Sequence, residues 1–136
     1  MPIVILLTLL ISTPGLASCP TAPILEAFFC NTDEQYKDLV LLGEIEILLS
    51  TTVTKMQDSA EDTKKKIKPL LTKAKNAVFF NSRAGEALNE FYLYWMTIID
   101  DARPYSGETL DTYQKRVTER AFVLQERANR LRILTE

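Results

Sequence analysis

The stretch Ala84–Arg103, AGEALNEFYLYWMTIIDDAR, decides the fold of this chain. At helical spacing one face is wholly apolar: it carries Leu88, Phe91, Trp95, Ile98, Ile99 and Ala102. Most of the remaining surface is also apolar or aromatic, and a helix of this kind usually packs on several sides. About 20 residues could cross a bilayer, but Glu86, Glu90, Asp100 and Asp101 lie near the ends. The stretch therefore predicts a central, buried helix.

The first 18 residues have the pattern of a cleaved signal peptide. Ile3–Ile11 is apolar apart from Thr8, and Gly15-Leu16-Ala17 offers a small-x-small cleavage site. A basic segment before the apolar run is missing. We expect a secreted, extracellular protein with residues 1–18 as the signal peptide and residues 19–136 as a single helical domain.

The two cysteines, Cys19 and Cys30, are candidates for a disulfide, as is typical of an exported chain with an even cysteine count. If the intervening residues were helical, the two Cα atoms would stand more than about 10 Å apart, too far for a bridge. Three alternatives stay open: an internal bridge over a folded-back segment, a bond to another chain, or free thiols. Leu16-Ala17-Ser18-Cys19 also fits a bacterial lipoprotein leader, and a lipidated Cys19 would bring the protein to a membrane.

The residues before the central stretch predict three helices. Ile24–Phe29 forms a short one, and Thr32 with Gln35 makes a capping box that begins the next. The apolar stripe of that second helix comprises Leu42, Ile45, Leu49, Val53 and Met56, with Tyr36 and Leu39 one or two turns earlier. A strand over residues 39–54 remains the alternative, because residues 44–47 alternate and residues 50–54 favour β structure. Ser59 opens the third helix, which Pro69 should kink or restart near Lys68.

The central helix should begin at Asn81 or Ser82 and end before Pro104, and the last helix should begin at Ser106 or Thr109. One face of the last helix is apolar; it carries Leu110, Tyr113, Val117, Ala121, Leu124, Ala128 and Leu131. The sum is an all-α fold: an antiparallel bundle of about four longer helices plus a short N-terminal helix, after a cleaved signal peptide.

Composition excludes several kinds of chemistry. Lys and Arg number 16 against 18 acids, giving a net charge of −2, so no nucleic acid partner is indicated. The chain has no histidine, which removes the commonest general base and a common metal ligand. Asp100 and Asp101 are interpreted as a helix end that pairs with Arg103. We therefore expect no catalytic residues, no metal, no cofactor and no enzymatic activity.

Residues 19–36 carry a local likeness to a known family. Cys19-Pro20, Phe28-Phe29 and Thr32-Asp33-Glu34 with Tyr36 resemble the opening of secretoglobins. The resemblance implies a small secreted helical dimer, joined by disulfides around an apolar cavity. This chain departs from that family at Cys30, in lacking the later cysteines and in its greater length.

Two functions follow from the pattern. The first is a non-enzymatic helical protein that encloses or carries an apolar small molecule, as pockets between bundle helices do. The candidate pocket residues are Phe28, Leu88, Phe91, Tyr92, Trp95 and Ile99. The alternative is an interaction protein, cytokine-like or an inhibitor, that binds a receptor or enzyme through a helix face. A homodimer is compatible with either function.

Overall fold

The computed structural model describes residues 19–50 and 55–136, which form four α-helices and, within those ranges, no strand. Helix α1 spans Ile24–Leu48, α2 spans Lys55–Ala77, α3 spans Ser82–Asp100 and α4 spans Leu110–Leu134. The predicted all-α bundle is confirmed. The predicted signal peptide, residues 1–18, lies outside the described residues.

Neighbouring helices run in opposite directions. Glu26 at the start of α1 accepts a 2.8 Å hydrogen bond from Arg132 at the end of α4. Gln114 at the start of α4 donates a 3.0 Å bond to Glu44 near the end of α1. Short connections join α2 to α3 and α3 to α4, so these pairs are also antiparallel. Helices α1 and α3 therefore lie diagonally across the bundle and run in the same direction.

Trp95 of α3 lies at the centre of the core and is fully buried. Its indole N–H donates a 2.9 Å hydrogen bond to the backbone carbonyl of Thr32 in α1. One turn earlier, Phe91 packs against Phe28 and Phe29, with ring centroids 5.5 and 5.2 Å away. The central buried helix predicted from the sequence is confirmed.

Helix α1 is continuous where the sequence predicts a break. Thr32, expected to cap a second helix, lies inside α1 and is fully buried. Its hydroxyl bonds back to the carbonyls of Phe28 and Phe29, at 3.0 and 2.9 Å. A threonine that satisfies its own hydroxyl in this way can sit in a helix interior. The short helix and its successor are therefore one helix, because one buried face runs through both.

The helical interpretation of residues 39–54 is confirmed as far as Leu48, and residues 51–54 lie outside the described part of the chain. The predicted buried stripe, however, is partly wrong. Ile45 is 37% exposed and Leu49 is 66% exposed, whereas Tyr36 and Leu39 of the same predicted stripe are buried as expected. Beyond Leu39 the inward-facing residue is Gly43 rather than Ile45, so only the second half of α1 turns a different face inward from the one expected.

Helix α2 passes through Pro69 without ending. Pro69 and Lys65 are both exposed, so water can reach the Lys65 carbonyl that lacks its helical donor. The predicted caps of the later helices are confirmed. Asn81 accepts a 3.0 Å hydrogen bond from the backbone of Ala84, and Thr109 accepts one of 3.2 Å from Thr112.

Cys19 and Cys30 form a disulfide within the chain. Their Cα atoms are 5.6 Å apart, although Cys30 lies about 9 Å along the helix from Ile24 at 1.5 Å per residue. Residues 19–23 must therefore run back beside the first turns of α1. The internal bridge was one of three alternatives, and a sulfur held in it is not available for acylation.

Gly43 is the point at which α1 approaches Tyr113 of α4 most tightly. A Cβ atom at Gly43 would stand 2.6 Å from the Cζ atom of Tyr113 and would overlap its hydroxyl. The Tyr113 ring is fully buried, and its hydroxyl donates a 2.6 Å bond to the carbonyl of Ala102. The ring therefore has little room to yield.

We expect Gly43→Ala to lower the free energy of unfolding. The helix propensity of alanine contributes about 1 kcal/mol in its favour, but overpacking costs about 1–3 kcal/mol. Gly85→Ala is the matched control, because a Cβ atom there meets no atom within 4 Å, and it should gain up to about 1 kcal/mol. Urea denaturation of both variants would measure the difference; equal stabilisation by both would contradict the tight approach.

Candidate functional site

The six residues predicted to line an apolar pocket lie together in or beside the core. Phe28, Leu88, Phe91, Trp95 and Ile99 are almost completely buried; Tyr92 is half-buried and stacks on Trp95, with ring centroids 6.0 Å apart. Ile99 borders a cavity of about 260 Å³ that it shares with Leu39 and Met56 but with none of the other five. A ligand held among all six would have to separate side chains that now touch.

A larger cavity lies at the surface between α1 and α4. It measures about 640 Å³, and its apolar floor is formed by Tyr36, Val40, Leu41, Val117 and Ala121. We call it the α1–α4 groove. Tyr36 donates a 3.4 Å hydrogen bond to the carbonyl of Val117 at the base. Burial raises the pKa of the Tyr36 phenol well above its ordinary value, so this hydroxyl stays a neutral donor.

The rim of the groove is acidic. Glu34, Asp38 and Glu44 border it together with Lys37 and Thr118. The ammonium of Lys37 lies 2.8 Å from Asp33, and this hydrogen bond raises the pKa of Lys37. Among the described ion pairs none includes Glu34, Asp38 or Glu44. With three carboxylates against the single ammonium of Lys37, the rim carries a net negative charge around an apolar floor.

An exposed apolar stripe continues from the groove toward the end of α1. It consists of Leu41, Ile45, Leu48 and Leu49, and we call it the Leu41–Leu49 stripe. These residues recur at three- and four-residue spacing, so their side chains lie on one face of the helix. That face points away from the buried residues Leu39 and Gly43. The groove and the stripe together form the candidate site.

The sequence contains a signal for this site. The segment Leu39–Leu49 has more apolar residues than one core-facing side of a helix can bury. The helical periodicity, however, predicts a core position for Ile45 and Leu49 and does not include Leu41 and Leu48 in its stripe, so it does not identify the exposed face. Val117 and Ala121 were correctly placed on the apolar face of α4.

The densest charged cluster is structural. Arg116 binds both carboxylate oxygens of Glu108, at 3.0 and 2.9 Å, and also contacts Asp101 at 3.1 Å. Its guanidinium lies 3.8 Å from the ring centroid of Tyr105, whose backbone N–H donates to Glu108 at 2.9 Å. The cluster closes the connection between α3 and α4, and its groups are bound to one another rather than turned toward a cavity.

The predicted pairing of the two adjacent aspartates is wrong. Asp100 binds Lys64 of α2, and Asp101 binds Arg116 of α4. Arg103 instead lies 3.6 Å from Glu46 of α1. Neighbouring positions on a helix point in directions about 100° apart, so the two carboxylates reach different neighbouring helices.

Residues 19–50 and 55–136 contain no group of three cysteine or acidic side chains arranged to hold a metal ion. Within the same ranges, no helix has the length and apolar character of a membrane span. No protein-family model, curated protein or solved structure matches the chain. The likeness of residues 19–36 to secretoglobins therefore has no support beyond those residues.

The Arg116 cluster makes stability depend on pH. The hydrogen bonds from Arg116 hold the pKa of Glu108 below its ordinary value of 4.5. Because the folded pKa is depressed, the stabilisation is complete above about pH 4.5 and is lost as the pH falls through the folded pKa.

We expect Glu108→Gln to cost about 2 kcal/mol at neutral pH, because a charge-assisted hydrogen bond is replaced, and to cost less in acid. Asp111→Asn is the control, since this exposed carboxylate pairs only with Lys115 at 3.3 Å among the described ion pairs, and it should change stability by less than about 0.5 kcal/mol. Thermal unfolding across acidic and neutral pH would measure both. If Glu108→Gln lowered the stability by the same amount at every pH, this result would contradict the lowered pKa of Glu108.

Proposed function

We propose that this chain is an exported, non-enzymatic interaction protein that binds a protein partner through the α1–α4 groove and the Leu41–Leu49 stripe. The observation that carries the proposal is the stripe itself. Leu48 and Leu49 are each 66% exposed on a helix whose opposite face is fully packed. A contiguous exposed apolar surface of this kind is typical of a binding site.

The shape of the site fits an amphipathic helix. Glu34 and Glu44 mark the ends of the groove, so it extends for about 15 Å along α1 at 1.5 Å per residue. That length accommodates about three turns of a partner helix, whose apolar residues at i, i+4 and i+7 would enter the groove. The acidic rim favours Lys or Arg on the flanks of that helix.

Export is supported by the disulfide, since such bonds persist mainly in oxidising compartments. The apolar first residues, with their small-x-small motif, agree with the same route. If the protein acts outside the cell, the partner that binds the groove would be a receptor or an enzyme rather than a cytosolic protein.

A selection of displayed helical peptides tests the proposal. We expect the selected peptides to carry apolar residues at i, i+4 and i+7 with basic flanks. Leu41→Asp combined with Ile45→Asp should weaken their binding by more than tenfold, because central apolar contacts dominate interface energies. Leu93→Asp is the matched control, since Leu93 is exposed on α3. Equal loss in the control, or selected peptides with acidic flanks, would contradict the proposal.

An apolar small molecule is the second candidate. The observation in its favour is the groove volume of about 640 Å³, which lies within the range of about 300–1,000 Å³ of ligand sites. It would be a fatty acid, a retinoid or a steroid, held either in the groove or among the six core residues.

Fluorescence separates the two placements. A ligand among the core residues would contact Trp95, the single tryptophan, and should change its emission saturably. Calorimetry on the same mixtures reports binding at any site. Heat of binding with unchanged Trp95 emission would exclude the core placement, and loss of that heat in the Leu41→Asp/Ile45→Asp variant would place the ligand in the groove. No heat with any of the three classes would remove this candidate.

A further inference from the structure

Two phenylalanine rings project from the connection between α2 and α3. Phe79 is 75% exposed and Phe80 is 97% exposed, and their ring centroids lie 5.2 Å apart in an edge-to-face pair. Large aromatic side chains normally gain stability by burial. These two rings contact each other but have little other cover from the described residues.

The connection itself is firmly held. Val78, directly before the rings, is buried in the core. Asn81, directly after them, caps α3 through its side-chain oxygen and donates a 2.9 Å hydrogen bond to the carbonyl of Leu134. The rings therefore lie beside the last turn of α4, where Ile133 is also exposed. Three exposed apolar side chains thus share one end of the bundle, which we call the Phe79–Phe80 end.

The chain that leads to these rings is strongly basic. Between Thr63 and Gly85 there are six lysines and Arg83, and no acidic residue. Only Lys64 of this set takes part in a described ion pair; the exposed cations are Lys65, Lys66, Lys68, Lys73, Lys75 and Arg83. The acids at the same end of the bundle are fewer: Glu26, which is bound to Arg132, with Glu86 and Glu136.

We propose that the Phe79–Phe80 end binds the surface of an anionic lipid bilayer. The two rings enter the boundary between headgroups and acyl chains, while Lys75 and Arg83, on either side of them, contact lipid phosphates. The more distant lysines of α2 add long-range attraction. An anionic bilayer fits because it offers an apolar layer directly beneath a negatively charged one.

Charge disfavours a second copy of the chain as the occupant. Two such ends brought face to face would oppose Lys73, Lys75 and Arg83 of one copy to the same residues of the other, and juxtaposed like charges are costly. The lipid surface also differs from the partner proposed for the α1–α4 groove, whose rim is acidic. The two sites thus select occupants of different chemistry.

Flotation with vesicles tests the proposal. The full chain should float with vesicles of phosphatidylserine and phosphatidylcholine in equal amounts, and much less with phosphatidylcholine alone. Phe79→Ser combined with Phe80→Ser should reduce the bound fraction at least tenfold, because the inserted apolar area is lost. Phe122→Ser is the matched control, since Phe122 is similarly exposed on the outer face of α4, and it should leave binding unchanged.

The charge contribution is tested separately. Lys75→Glu should weaken binding about fivefold or more, in keeping with the contribution of one basic residue near an anionic surface, and the effect should shrink at high salt. Lys115→Glu, on exposed α4, should have little effect. Phe80→Trp adds a direct probe, because bromine-labelled acyl chains should quench the introduced indole.

Three results would overturn the proposal: flotation that does not depend on phosphatidylserine, equal binding by the Phe79→Ser/Phe80→Ser variant, or an introduced indole that the brominated chains do not quench. Sedimentation velocity completes the set. A wild-type dimer that the double serine variant converts to a monomer, without vesicle binding by either, would assign the rings to self-association instead.

Discussion

The hydrogen bond from the Trp95 indole to the Thr32 carbonyl is the constraint around which the bundle is organised. It joins the two diagonal helices over 2.9 Å from donor to acceptor, between two residues that are fully buried. A buried indole N–H needs a partner, and this geometry fixes the depth and rotation of α1 against α3. Once that register is set, Phe28 and Phe29 meet Phe91, and Tyr36 and Leu39 turn inward.

The same register determines what α1 leaves outside. Two opposite sides of a helix cannot both face the same core, so the face opposite Thr32, Tyr36 and Leu39 must remain at the surface. In the second half of α1 that face is occupied by leucine and isoleucine rather than by charged residues. The candidate binding site is thus the face of α1 that stays exposed once Trp95 has determined which face packs into the core. Gly43 contributes to this packing because it lets the Tyr113 ring lie directly against α1.

Much of this arrangement can be predicted from the residues. The helical periods, the caps at Asn81 and Thr109 and the buried position of Trp95 all follow from local patterns. Three features do not, because each depends on packing or chain direction that the local pattern does not specify. Thr32 does not cap a helix, because one buried face continues through it. Packing against α3 determines which side of α1 faces inward. The disulfide depends on a reversal of the chain before Ile24. The excess of apolar residues in Leu39–Leu49 signals an exposed site, but only the register shows which residues it contains.

The side chain of Asn81 performs two tasks, and its position has a mechanical consequence. Its oxygen holds the start of α3 while its nitrogen holds the end of α4, and Val78 anchors the other side of the same short connection. The backbone that carries the two phenylalanines is consequently pre-organised by folding itself. A surface that meets these rings need not order a loose loop, so little of the interaction free energy is spent on conformational entropy.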